Sequence, residues 1–207
     1  MIRWPGLRFG TARGPAAQAR WIVVDCETSG LDPRRDRLIS LAAVGVRGRR
    51  ISAGDVFCAV VRQEQPSGRE NILIHGIGGE EQRRGEAPEA VLAAFFAFAE
   101  RAPRVAYRAE FDRAVLARAS GRRDPAPWLD LAQLLPVLFP ARGKAATTLD
   151  GWLAAFAIAH PARHDALGDA YATAQLFQVA LSECGRQGFG SVDAVLRAAR
   201  AGRWTGD

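Results

Sequence analysis

The chain has 207 residues and a formal charge of +6, from 28 basic and 22 acidic side chains, a length that makes one ordinary domain with a full core. It has no run of about 18 apolar residues to span a membrane, and Cys26, Cys58 and Cys184 are too few and too widely spaced for a disulfide framework or a zinc site. A membrane-spanning helix and a disulfide scaffold are thereby not expected, and a reducing cytoplasm is the expected compartment.

The charge permits a polyanionic partner, although Lys144 is the only lysine and an arginine excess of this kind also follows from GC-rich coding. Residues 1–20, with Arg3, Arg8, Arg13 and Arg20 among Trp4, Pro5, Phe9 and glycines, lack the apolar core of a signal peptide and read as a basic N-terminal arm. The main domain is expected over 21–187, and 188–207 as a short tail with one amphipathic helix near 192–201 and Trp204 beyond it.

Within the main domain, apolar periodicity and breaker residues place strands near 21–26, 37–46 and 51–62. Gln65 to Glu70 reads as an exposed turn, and Gly76-Ile77-Gly78-Gly79 lacks the lysine and the preceding strand of a phosphate loop. A helix follows near 88–101, where the apolar run Val91 to Ala99 is bounded by Glu89 and Glu100. Next come a short strand near 103–107, a helix near 109–119, a strand near 127–130, and helices near 130–138, 147–157 and 165–186. Arg118 to Pro127 and Pro140 to Ala146 are loop-like. Three strands able to meander, followed by strands alternating with helices, imply an α/β chain with a mixed five-stranded sheet flanked by helices.

The chemistry gathers in three places. The run Trp21-Ile22-Val23-Val24 ends in Asp25-Cys26-Glu27-Thr28-Ser29-Gly30, and alternation along a strand puts Asp25 and Glu27 on one face. Two facing carboxylates repel unless a cation lies between them; the competing reading, a solvated Asp-x-Glu turn, sits poorly behind four apolar residues. Asp112 falls near the start of its helix, where acids are also favoured by the macrodipole alone. His164 precedes the helix that carries Asp169; singly each is an ordinary capping or surface residue, but a histidine beside a carboxylate cluster suits proton removal from water. Carboxylates are hard oxygen ligands and point to Mg²⁺ or Mn²⁺.

In order and spacing, Asp25-Cys26-Glu27-Thr28-Ser29-Gly30-Leu31, Asp112 behind Phe111, and His164-Asp165-Ala166-Leu167-Gly168-Asp169-Ala170 resemble the three motifs of the DEDD exonuclease family. Asp165 stands where the tyrosine branch of that family has its tyrosine, so the histidine branch is favoured. The resemblance runs from about Trp21 to Leu181 and includes Ile74-His75-Gly76-Ile77, Trp128-Leu129-Asp130-Leu131 and Leu149-Asp150-Gly151-Trp152-Leu153. In pattern it is similar to the epsilon proofreading subunit of bacterial DNA polymerase III and its stand-alone homologues.

What the resemblance implies is a ribonuclease H-like fold and a 3′→5′ exonuclease that releases nucleoside monophosphates from single-stranded DNA ends. Two divalent cations would be held by Asp25, Glu27, Asp112 and Asp169, with His164 as base. Thr28 and Leu31 would cradle the terminal nucleotide, and His75 would touch its sugar or base. Tyr107-Arg108 departs from the family's usual His-Asn, which bears on substrate preference. A DNA polymerase or repair partner is implied, and the short tail favours a stand-alone nuclease. Two alternatives stay open: an RNA-trimming or oligoribonuclease-type enzyme on the same scaffold, and a non-catalytic nucleic-acid-binding or polymerase accessory module, which would have no need of convergent carboxylates.

Overall fold

The structure is a computed structural model that describes residues 14–48, 50–160 and 164–202. Three long strands come first: β1 (Arg20–Thr28), β2 (Leu38–Arg47) and β3 (Arg50–Val60). The short helices α1 (Arg69–His75) and α2 (Gly79–Arg84) lead to α3 (Pro88–Ala99). After these β4 (Arg104–Ala106), α4 (Glu110–Ser120), β5 (Trp128–Asp130) and α5 (Leu131–Leu138) alternate. The single turn α6 (Pro140–Gly143), α7 (Leu149–Ala155), the 21-residue α8 (Ala166–Arg186) and α9 (Val192–Ala201) complete the chain.

The five strands form one sheet in the order β3-β2-β1-β4-β5. β1–β2 and β2–β3 are antiparallel, while β1–β4 and β4–β5 are parallel, the mixed sheet expected from a meander followed by crossovers. Strand alternation divides the core in two. Trp21, Val23, Ala42, Val44 and Val46 face α5, α7, α8 and α9. Ile22, Val24, Cys26, Leu41 and Ala43 face α3 and α4. Ala170, Ala174 and Ala180, all fully buried, let α8 lie close against the sheet. Burying an apolar side chain the size of Trp21 or Phe177 stabilises the fold by about 2–3 kcal/mol, and these two rings meet edge to face at 5.2 Å.

Two charged features brace the sheet. Arg20 reaches across β2 to Asp55, with Nη2 2.5 Å from Oδ1. Gly45 makes this crossing possible, since a Cβ there would lie 2.0 Å from the Asp55 carboxyl. On β4, Arg104 is fully buried. It donates from Nε to Asp124 (3.0 Å) and from its terminal nitrogens to the carbonyls of Ala99 (2.9 Å), Glu100 (2.9 Å) and Ala102.

The long elements lie within a few residues of their sequence positions. The differences fall between β3 and α3, where the sequence offers a turn and no helix. α1 begins at Arg69, inside that turn, and neither Gly68 nor Gly78 supplies a side-chain cap, so the usual helix-start signal is missing. α6 likewise forms inside the loop expected over 140–146. The end of the N-terminal arm packs against the tail: Ala16 is buried, its N–H donates to Gly190 O at 2.8 Å, and its carbonyl accepts from Trp21 Nε1 at 3.0 Å. The rest of that arm, residues 1–13, and Trp204 lie outside the described residues.

Candidate metal centre

Asp25 and Glu27 stand at the C-terminal end of β1, opposite Ala42 and Ser40 of β2. They share the parity of Trp21 and Val23 and so project toward α8. Asp169, in the first turn of α8, meets them there. One carboxylate oxygen from each of the three lies within 4.8 Å of the others. Glu27 and Asp169 are only 9% and 5% exposed. Like charges this close and this buried repel one another unless a cation offsets them. A donor set made wholly of hard oxygens fits Mg²⁺- or Mn²⁺-type ions.

Asp112 is not part of that group. It lies on α4, across the sheet, beside the Cys26 side chain that alternation sends to that face. β1 pairs with β4 only at Ile22 and Val23, so the Cys26 N–H on this edge is spared by the sheet. The Asp112 carboxylate accepts from that N–H and from the Cys26 thiol. Burial pushes Asp112 up to about 7, against the pull of those hydrogen bonds. Burial and the nearby acids push the Cys26 thiol well up as well. One oxygen each from Asp25, Glu27 and Asp169 thus meet within 4.8 Å, while Asp112 stands at Cys26, the residue between Asp25 and Glu27 on β1.

His164 reaches Asp169 through its backbone. Its N–H donates to Oδ2 at 3.0 Å, its φ of 61° is left-handed, and its side chain is exposed. The imidazole at the cluster belongs to His160, which sequence reasoning missed. Its Nε2 is 3.1 Å from Asp169 Oδ1, and its side chain is 7% exposed. Neither ring nitrogen of His160 makes a hydrogen bond among the described residues, so the Asp169 contact is close but poorly aligned. The only sequence signal was a second histidine four residues ahead of the first.

Around the strand end, Thr28 is buried and its hydroxyl donates to Gly30 O at 2.6 Å, while Leu31 is 92% exposed. His75 is turned inward. Its Nδ1 accepts from Ile77 N–H at 3.0 Å, and its Nε2 lies 2.9 Å from Asn71 Oδ1 and 3.2 Å from Ser67 Oγ. Because Nδ1 accepts, the proton belongs on Nε2, and burial lowers the ring's pKa. Arg108 has an exposed side chain and a φ of 61°, and its N–H donates to Asp130 Oδ1 at 3.0 Å. The same oxygen caps α5 through Ala132 N–H. Tyr107 donates to Thr147 O at 3.1 Å, and burial pushes its hydroxyl up to about 12.

Residues 22–177 match the family described as the RNase T exonucleases. The chain belongs to this exonuclease family. It is 35% identical over 195 residues to a DNA polymerase III subunit epsilon-like protein of Rhodobacter capsulatus, a match covering 91% of this chain and 27% of that protein. Against the PolC-type DNA polymerase III of Thermotoga maritima it is 31% identical over 163 residues, covering 77% of this chain and 12% of that one. The chain thus spans about a quarter or less of these relatives' length.

Among solved structures, Exonuclease X in complex with 5′ overhanging duplex DNA is similar in fold, with a TM-score of 0.68, 22% identity, and coverage of 86% of this chain and 99% of that one. E. coli Exonuclease I in complex with a dT13 oligonucleotide gives a TM-score of 0.68 at 21% identity, covering 82% of this chain and 42% of that one. The fold is thus the ribonuclease H-like arrangement of the DnaQ-like exonucleases. Exonucleases of this family generally use divalent metal ions, and the Asp25, Glu27 and Asp169 cluster offers this chain a place to hold them. Among the described residues, no helix is long and apolar enough to cross a membrane.

Proposed function

We propose that this chain is a 3′→5′ exonuclease that hydrolyses single-stranded DNA from its 3′ end and releases nucleoside 5′-monophosphates. The observation that carries the reading is the convergence of Asp25, Glu27 and Asp169 at the open end of β1, one oxygen from each within 4.8 Å of the others. In hydrolysis the water oxygen bonds to phosphorus, the bond from phosphorus to the 3′-oxygen of the preceding nucleotide breaks, and that oxygen takes a proton. Asp25, Glu27 and Asp169 would hold two divalent cations, Mg²⁺ or Mn²⁺, with Asp112 as the outlying fourth acid. What bound cations supply is a more acidic water and positive charge for the phosphate oxygens as the bond to the leaving group opens.

The remaining work falls to the chain's own side chains. His164, anchored by its N–H on Asp169 Oδ2, accepts the water proton. A second reading of this one role is favoured by the position of His160 Nε2, the imidazole nitrogen that already stands at Asp169. The two readings separate in paired variants, since only the true base loses the pH dependence of the rate when replaced by alanine. Thr28 and Leu31 bound the site for the terminal nucleotide. A DNA polymerase or repair complex is the proposed setting, the first in line with the relatives named for DNA polymerase III, and three cysteines outside any disulfide suit the cytoplasm.

The test is a time course with 5′-labelled single-stranded DNA and RNA of one sequence, in Mg²⁺, in Mn²⁺ and in chelator. A cation-dependent ladder that shortens DNA from its 3′ end is expected. Intact substrate in every lane, with measurable binding, would replace the enzyme by a non-catalytic binding module, and preferred cleavage of RNA would replace the substrate.

A further inference from the structure

The polar residues between β1 and α1 form a continuous chain that ends on the substrate side of the strand. Ile77 N–H donates to His75 Nδ1, His75 Nε2–H to Asn71 Oδ1, and Asn71 Nδ2 to the Thr28 carbonyl at 3.0 Å. With its oxygen committed to His75, the Asn71 amide has one orientation, nitrogen toward Thr28. Behind it Gln82, fully buried, donates to Ser67 Oγ at 3.0 Å and to Ile77 O at 2.9 Å, and accepts from Ser67 N–H at 2.8 Å. A buried polar network is costly unless each member is satisfied, and when satisfied it fixes one arrangement.

The network holds one part of the site and leaves another alone. Asp25 and Glu27 are held in register by β2, and Asp169 by the packing of α8. Thr28 lies just past the register shift between Glu27 and Thr28, where the ladder's grip changes, and Asn71 holds its carbonyl. Leu31 follows three residues later. The tethered helix α1 itself exposes Leu73 (75%) and Ile74 (53%).

We propose that Asn71 and His75 are positioning residues, which fix the nucleotide-holding end of β1 through the Thr28 carbonyl and act on substrate capture rather than on the chemical step. This rests on the exonuclease reading. It gives His75 an indirect role in place of the direct sugar or base contact that the family resemblance implies, and it makes Asn71 the residue that separates the two.

The experiment is steady-state cleavage of single-stranded DNA at saturating divalent cation by the wild-type chain, Asn71→Ala, Asn71→Asp, His75→Ala and the Asn71→Ala/His75→Ala pair. Asn71→Asp keeps the size and the acceptor for His75 but turns an oxygen toward the Thr28 oxygen. Loss of one part-buried hydrogen bond predicts a KM about tenfold higher for either Asn71 variant, with kcat within about twofold. Residues acting in one chain are non-additive, so the double variant should have the KM of a single one. Wild-type KM in both Asn71 variants, with a raised KM in His75→Ala alone, overturns the proposal in favour of direct contact by His75. A fall in kcat with KM unchanged also overturns it. A wild-type chain that leaves DNA intact overturns the exonuclease reading and this proposal together, whereas cleavage by wild type with unaltered Asn71 variants overturns the proposal alone.

Discussion

Charge is buried at two places along the parallel strands, and the two are built on opposite plans. At Arg104 a single cation is surrounded by one carboxylate and three carbonyls, all within the chain. At the far end of neighbouring β1, three anions converge with an imidazole whose nitrogens make no hydrogen bond among the described residues. A buried charge that its own fold satisfies is structure. Like charges brought together by the fold suit a site for the opposite charge, because anions this close repel one another.

The largest expected effect follows from breaking the second plan. Asp25→Ala should lower cleavage by roughly three orders of magnitude or more, because it removes a group on which transition-state charge stabilisation depends. Residual activity near the wild-type level would erase the contrast between the two regions. Breaking the first plan should do the reverse. Arg104→Ala strands the Asp124 carboxylate and three carbonyls and should cost about 3–5 kcal/mol in urea unfolding, while cleavage below its melting transition persists.

Asp112 sharpens the comparison through pH. Raised from 3.8 to about 7 chiefly by burial, it contributes stability that is full below 3.8 and is lost as pH climbs through about 7. In chelator the wild-type chain should therefore lose this stability between about pH 4 and pH 7, with no further loss above that range. Asp112→Asn, neutral throughout, should flatten that part of the slope, and identical slopes by chemical unfolding would remove the buried acid from the account. The smallest effect is expected at His160. His160→Ala gives up packing and the 3.1 Å contact with Asp169, but also two buried ring nitrogens that make no hydrogen bond among the described residues, and should change stability by no more than about 1 kcal/mol. A loss as large as that of Arg104→Ala would mean that His160 is structural in the same sense.

Much of this was legible wherever a local period decides the outcome. The strand period alone put Asp25 and Glu27 on one face, and the apolar stripe of α8 placed Asp169 one turn inside its helix. The placing of Asp112 beside Cys26 depends on α4 lying against that face of β1, a tertiary fact that no single segment carries. α1 and α2 were hidden because glycines stand where capping side chains would announce a helix. His160 and His164 sit where no periodicity operates, and their placement depends on how the chain enters α8. Left-handed φ values at Arg108 and His164 are a cost of about 1 kcal/mol or more each at non-glycine residues. Both lie where the backbone N–H meets a carboxylate, Asp130 and Asp169 respectively, so the strain is held by that hydrogen bond and becomes visible only in three dimensions.

The most direct test of the central claim is diffraction from crystals of this chain grown with Mn²⁺, recorded where manganese scatters anomalously. The account predicts an anomalous peak between the carboxylates of Asp25, Glu27 and Asp169, absent from crystals of Asp25→Ala. Well-ordered carboxylates with no peak between them, or manganese bound only elsewhere, would contradict it.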